Sequence, residues 1–128
     1  MSYYFNKLVD LTFDEAISKV TEELKKEGFG VLTQIDVKEA LKKKINVDFR
    51  KYRILGACNP QYAYKALQAE DKIGTMLPCN VIVQERDDGK VEIAAIDPIA
   101  SMQAVNNESL GEIAVTVQSK LKQVIENV

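Results

Sequence analysis

Two cysteines are the residues of this chain best suited to chemistry, since a thiolate is both a nucleophile and a ligand for soft metals. They are the only cysteines in the 128 residues, and each is followed by asparagine and has a proline close by in sequence. The two motifs are Cys58-Asn59-Pro60 and Pro78-Cys79-Asn80. The similarity of the two motifs raises the question of whether the two thiols form one site.

The chain contains no histidine. That excludes a Ser-His or Cys-His nucleophilic pair within one chain. Two thiols also leave a tetrahedral zinc short of ligands unless carboxylates or a second subunit contribute, and no Cys-x-x-Cys motif is present. We therefore assign no catalytic residue and no metal site, and the cofactor stays unknown.

Cys58 directly precedes a helix start, because Asn59-Pro60 is typical of an N-cap followed by proline at the first helical position. The first N–H groups and the dipole of a helix favour a negative charge and can lower the pKa of a thiol. Cys58 is therefore either an activated thiolate with Cys79 as its partner or a small buried apolar residue. The second interpretation is favoured, since helix capping already explains Asn59 and Pro60.

Asp97 and Met102 complete the set of candidate residues. An aspartate at the end of a strand can act as a general base, although Asp-Pro more commonly begins a turn. If the strand ends converge, both residues lie near the two cysteine motifs. The candidate ligand-binding or thiol site is Cys58, Asn59, Pro60, Pro78, Cys79, Asn80, Asp97 and Met102.

The composition is that of an ordinary globular protein, with 46% hydrophobic and 28% charged residues, and the length fits a single domain over residues 1–128. A net charge of -2 disfavours nucleic acid as a partner. The amino terminus does not resemble an export signal and no apolar run reaches membrane-spanning length. We expect a cytoplasmic protein with reduced thiols and no membrane partner.

The apolar periodicity predicts strands and helices in the order β-α-β-α-β-α-β-β-α. Thr12 and Glu15 form a capping box for the first helix, and Gly28 ends it. The last two strands are joined by a turn at Asp87-Asp88-Gly89, which indicates a hairpin. The fold class is α+β, with two layers and a five-stranded mixed sheet that carries its helices on one face.

Helices on one face of the sheet leave the other face uncovered. The sequence places residues such as Leu32, Leu55 and Ile82 there. An apolar uncovered face predicts a homodimer or another covering partner.

A long segment carries a resemblance to a known family. The stretch "YRILGACNPQYAYKALQAEDKIGTMLPCNVIVQERDDGKVEIAAIDP", followed by Met102, resembles the uncharacterised family called domain of unknown function 302. The resemblance implies a compact, dimeric α+β domain and no established activity. The family has two branches that differ in these motifs. Both branches match this chain at Asn59, Pro60 and Pro78, but only one branch matches it at Cys58 and Cys79.

The leading hypothesis is a non-enzymatic homodimer that binds a small ligand or a protein partner near the two cysteine motifs. One alternative is a thiol-dependent redox, sulfur-handling or soft-metal-binding protein that uses Cys58 and Cys79. Another is an interaction protein without a pocket, in which the uncovered sheet face is the working surface.

Overall fold

The fold is given by a computed structural model that describes residues 2–128. Its strands are β1 (Tyr4–Val9), β2 (Gly30–Asp36), β3 (Tyr52–Cys58), β4 (Cys79–Glu85) and β5 (Val91–Ile96). Its α-helices are α1 (Phe13–Lys26), α2 (Val37–Ile45), α3 (Pro60–Ala69), α4 (Pro98–Ser101) and α5 (Glu108–Asn127), and a 3₁₀ helix covers Asp71–Met76. The predicted α+β class and order of elements are confirmed, with the 3₁₀ helix and α4 as additions.

The predicted helix boundaries have local causes. Thr12 Oγ1 accepts a hydrogen bond from the Glu15 N–H at 3.2 Å, and Glu15 Oε1 accepts one from the Thr12 N–H at 2.9 Å. These two bonds satisfy backbone donors that the first turn of α1 would otherwise leave free. Asp36 and Asn107 each cap their helix with one bond: Asp36 Oδ1 accepts from the Glu39 N–H of α2, and Asn107 Oδ1 accepts from the Ser109 N–H of α5. At the other end of α1, Gly28 has a φ of 86°, which glycine adopts without steric cost.

The sheet has the strand order β1-β5-β4-β3-β2. Every neighbouring pair is antiparallel, so the prediction of a mixed sheet is wrong in this respect. The segment between β3 and β4, which contains α3 and the 3₁₀ helix, begins and ends at the same end of the sheet. It therefore returns the chain in the opposite direction instead of crossing over to a parallel strand.

One face of the sheet packs against α1 and α5. Leu55, Val81, Val83 and Ile93 point towards this face and are completely buried. They join Val20 and Leu24 of α1 and Leu121 and Val124 of α5 in one hydrophobic core. Fully burying one such side chain stabilises the fold by about 1.5–3 kcal/mol.

The opposite face, which we call the open face, carries the alternate residues of the strands. Ile82 lies there as predicted, but Leu55 does not, because it pairs with Val81 on the helix-covered side and is fully buried. Leu32 is also misplaced by the sequence prediction. The register of β2 shifts between Val31 and Thr33, so Leu32 lies in a bulge that breaks the regular alternation.

Candidate functional site

The antiparallel pairing of β3 and β4 brings the two cysteine motifs to one end of the sheet. Cys58 is the last residue of β3 and Cys79 is the first residue of β4. Cys79 lies directly opposite Ala57, the neighbour of Cys58 in the chain. Both cysteines are free thiols. The tertiary structure thus brings the motifs together across a gap of about twenty residues in the chain.

Asn59 precedes α3 and Pro60 is its first helical residue, as predicted. Asn59 occupies the N-cap position, but its side chain makes no capping hydrogen bond to α3. Its Nδ2 instead donates to the Glu27 carbonyl oxygen at 3.2 Å, at the end of α1. A Cβ atom on Gly28 would lie 3.1 Å from this Nδ2. Glycine at position 28 therefore ends α1 and also leaves space for the Asn59 amide.

A cavity of about 270 Å³ lies beside this end of the sheet. Five of the eight candidate residues line it: Cys58, Asn59, Pro78, Cys79 and Met102. The remaining wall is formed mainly by aliphatic and aromatic side chains of β2, α3 and α5. None of the described residues that line the cavity carries a formal charge. The site is therefore an apolar cavity with two thiols and one amide among its lining groups.

Burial widens the pH range over which one of the thiols stays neutral. It raises the pKa of Cys79 to about 11, and the nearby Cys58 adds a smaller contribution in the same direction. Removing the charged form from water disfavours a thiolate in such an environment. Cys79 is consequently a neutral thiol near pH 7, with the properties of a small apolar side chain.

Three candidate residues do not line the cavity. Pro60 is exposed at the start of α3. Asn80 points to the open face, where it borders a separate shallow depression. Asp97 precedes Pro98, which does line the cavity, but Asp97 Oδ1 accepts hydrogen bonds from the Ile99 N–H at 3.0 Å and from Gln118 Nε2 at 3.1 Å. The structure therefore gives Asp97 a capping role in α4.

Most of the cavity wall lies outside the candidate site named from the sequence. Tyr62 and Ala66 of α3, and Ile113 and Val117 of α5, line the cavity together with the cysteines. Ile113 and Val117 lie four residues apart on one side of α5, but helical periodicity does not tell which element that side faces. The two walls meet because α3 packs against α5, and this contact joins elements that are far apart in the chain.

No group of three or more His, Cys, Asp or Glu side chains in residues 2–128 is placed to hold a metal ion. Within the same part of the chain, no helix is both long enough and apolar enough to cross a membrane.

The fold and the cavity define a small α+β protein with an apolar cavity at the end of an antiparallel sheet. The chain belongs to the family described as domain of unknown function DUF302, whose model matches residues 5–128. It is similar to the crystal structure of an uncharacterised conserved DUF302 protein from Bacillus stearothermophilus, with 32% sequence identity and a TM-score of 0.92. That match covers 99% of this chain and 98% of the other. No curated protein sequence matches the chain. The predicted resemblance is confirmed.

Proposed function

We propose that the cavity at the end of β3 and β4 binds a small, uncharged and mostly apolar molecule. The observation that carries this proposal is a cavity of about 270 Å³ without a charged lining residue among those described. An ionic ligand would lose its hydration there without gaining an opposite charge. The protonated Cys79 adds no charge near pH 7.

The volume narrows the class of ligand. An apolar cavity of about 150 Å³ binds benzene, and pockets for larger ligands begin near 300 Å³. The present cavity lies between these values, which favours a bicyclic ring or a short branched chain over a nucleotide or a peptide. Asn59 and Tyr62 are polar lining residues that can orient one polar group of such a molecule.

Two apolar side chains line the opening through which a ligand can enter the cavity. Leu32 and Leu67 both line it, yet 68% and 43% of their surfaces are exposed. Side chains that face both a cavity and solvent mark its opening. Leu32 lies in the bulge of β2 and Leu67 in α3, so the mouth lies between the edge strand and this helix.

A neutral fluorescent probe tests the proposal. 1-Aminonaphthalene, a bicyclic fluorophore that is uncharged near pH 7, should bind saturably with a shift of its emission, because it is apolar and has the size that the cavity favours. Ala63→Leu should weaken this binding by at least about tenfold, since Ala63 lines the cavity and the added carbons occupy its volume. Ala40→Leu is the matched control, because Ala40 is also half-buried in a helix but lies away from the cavity. Equal probe binding by both variants would contradict the proposal, as would no saturable binding by the unmodified protein.

A thiol-dependent function is the second candidate, supported by the presence of both thiols in one cavity wall. The raised pKa of Cys79 counts against a pair of thiolates. The experiment measures the rate of alkylation of Cys58 by iodoacetamide against pH in a Cys79→Ala variant. It distinguishes an activated Cys58 thiolate from an ordinary thiol. Alkylation that becomes fast only as the pH approaches the ordinary pKa of a free thiol would count against an activated thiolate.

The single-domain organisation over residues 1–128 and the cytoplasmic location remain proposals. The homodimer is a separate proposal, because its surface lies on the other side of the sheet from the cavity.

A further inference from the structure

We propose that the ligand of the apolar cavity carries a hydrogen-bond donor and that the side-chain oxygen of Asn59 accepts it. An apolar ring or short chain with one hydroxyl or N–H group is the class of molecule that meets this requirement. The inference rests on the proposed binding of an uncharged apolar molecule. It adds the polar group by which the cavity selects among such molecules.

The end of α1 fixes the orientation of the Asn59 amide. Asn59 Nδ2 donates to the Glu27 carbonyl oxygen at 3.2 Å. The last carbonyl groups of a helix have no partner within the helix, so this bond satisfies one of them. With the amide reversed, Oδ1 would face the Glu27 carbonyl, and two acceptors would meet without a hydrogen between them. The bond to Glu27 therefore decides which corner of the amide is nitrogen and which is oxygen.

The position of Gly28 supports the same orientation. A Cβ atom on Gly28 would lie 3.1 Å from Asn59 Nδ2 but 3.9 Å from Oδ1. The nitrogen is thus the atom that packs against the end of α1, and the oxygen is turned further away from it. Glycine also tolerates the φ of 86° at this position. The backbone at residues 27 and 28 therefore holds the amide in one orientation.

The oxygen of this amide has no partner within residues 2–128. The bond to Glu27 uses the nitrogen, and no N–H group of α3 donates to the Asn59 side chain. Asn59 is only 9% exposed, and it lines the cavity. Its oxygen is nevertheless accessible, because Arg53 Nε is the one fully inaccessible side-chain nitrogen or oxygen in this range that lacks a partner. Since buried polar groups are generally hydrogen-bonded, an acceptor that opens onto a cavity indicates a donor on the molecule bound there.

The other polar groups of the cavity wall do not select between donors and acceptors. A tyrosine hydroxyl, such as that of Tyr62, rotates to donate or to accept, and the thiols of Cys58 and Cys79 do both weakly. An amide oxygen can only accept. A ligand without a donor would displace the water that can reach the Asn59 oxygen and would not replace its hydrogen bond. Asn59 is therefore the residue that makes the cavity specific for a donor.

Two bicyclic compounds of similar size test the proposal. 1-Naphthol and 1-fluoronaphthalene are both uncharged near pH 7, but only 1-naphthol can donate a hydrogen bond. Their dissociation constants are measured by titration followed by ¹H–¹⁵N NMR. The unmodified protein should bind 1-naphthol about threefold to tenfold more tightly than 1-fluoronaphthalene, which is the usual net effect of one hydrogen bond.

Two variants assign this preference to a residue. Asn59→Leu has a similar shape without the acceptor, so its preference for 1-naphthol should fall to about onefold or below. Tyr62→Phe is the matched control, because it removes the other hydroxyl or amide side chain of the cavity wall, and it should keep the preference of the unmodified protein. Circular dichroism checks that both variants fold. If Asn59→Leu does not fold, the ¹³Cγ resonance of Asn59 in the unmodified protein decides instead. 1-Naphthol should move this resonance to higher frequency, whereas 1-fluoronaphthalene should not.

Each other outcome rejects a defined part of the inference. Equal binding of the two compounds by the unmodified protein, or tighter binding of 1-fluoronaphthalene, rejects a donor on the ligand and leaves the apolar cavity function standing. A preference that persists in Asn59→Leu but disappears in Tyr62→Phe assigns the recognition to Tyr62. A ¹³Cγ resonance that responds equally to both compounds also rejects the role of Asn59. If neither these compounds nor 1-aminonaphthalene binds, the proposed cavity function itself fails.

Discussion

The burial of the Cys79 thiol can be tested through the pH dependence of the protein's stability. Its pKa is raised from the usual 9.0 to about 11 in the folded chain, chiefly by burial. The folded state therefore holds the thiol proton at pH values where the unfolded chain has released it. The contribution of this buried thiol to the free energy of unfolding is fully present below pH 9. It declines as the pH rises above 9 and is lost as the pH passes through 11. A shift of this size corresponds to about 3 kcal/mol at most.

The assay is urea denaturation of the unmodified protein and of Cys79→Ala at several pH values between 7 and 11. Lysines and tyrosines titrate in the same range, but they do so in both proteins. We expect the unmodified protein to be the more stable at pH 7, because alanine leaves a small void. This advantage should shrink by up to about 3 kcal/mol as the pH rises to 11. A difference between the two proteins that stays constant with pH would refute the burial of the thiol.

Three further substitutions test the fold around the site. Gly56→Ala should destabilise the protein by about 1–3 kcal/mol in urea denaturation, because a Cβ there would collide with Thr33 Oγ1 and lie 2.8 Å from Pro78 Cγ; an unchanged midpoint would contradict this packing. Gly111→Ala, in the exposed part of α5 with nothing within 4 Å, should stabilise the protein by about 0.5–1 kcal/mol, and a loss of stability would indicate an unseen contact. Thr12→Ala should cost about 1 kcal/mol through loss of the capping box of α1, whereas Thr12→Ser should retain most of the stability.

The local elements were predictable because their signals lie within a few residues. The capping box at Thr12 and Glu15, the helix end at Gly28 and the hairpin turn at Gly89 all have the predicted geometry. Each depends on hydrogen bonds or backbone angles between near neighbours in the chain, so sequence spacing alone specifies it.

Errors arose where long-range pairing decides the outcome. The direction of β4 relative to β3 depends on how a segment of about twenty residues returns, and either direction is compatible with its length. Leu55 was assigned to the wrong face because β3 is apolar on both sides and gives no alternation to follow. Asn59 occupies the predicted N-cap position of α3, but local sequence gave no sign that its amide donates to the Glu27 carbonyl oxygen, a contact between residues 32 positions apart.

The sequence by itself determined the α+β class, the positions of the helices and strands, and the presence of two cysteine motifs that adjoin proline. Only the tertiary structure decided that these motifs share an apolar cavity with α5, and that Asn80 and Asp97 lie outside it. The physical reason is that periodicity reports which side of an element is buried, whereas a cavity depends on which elements meet. That is fixed by the antiparallel order of the sheet and by the packing of α3 on α5.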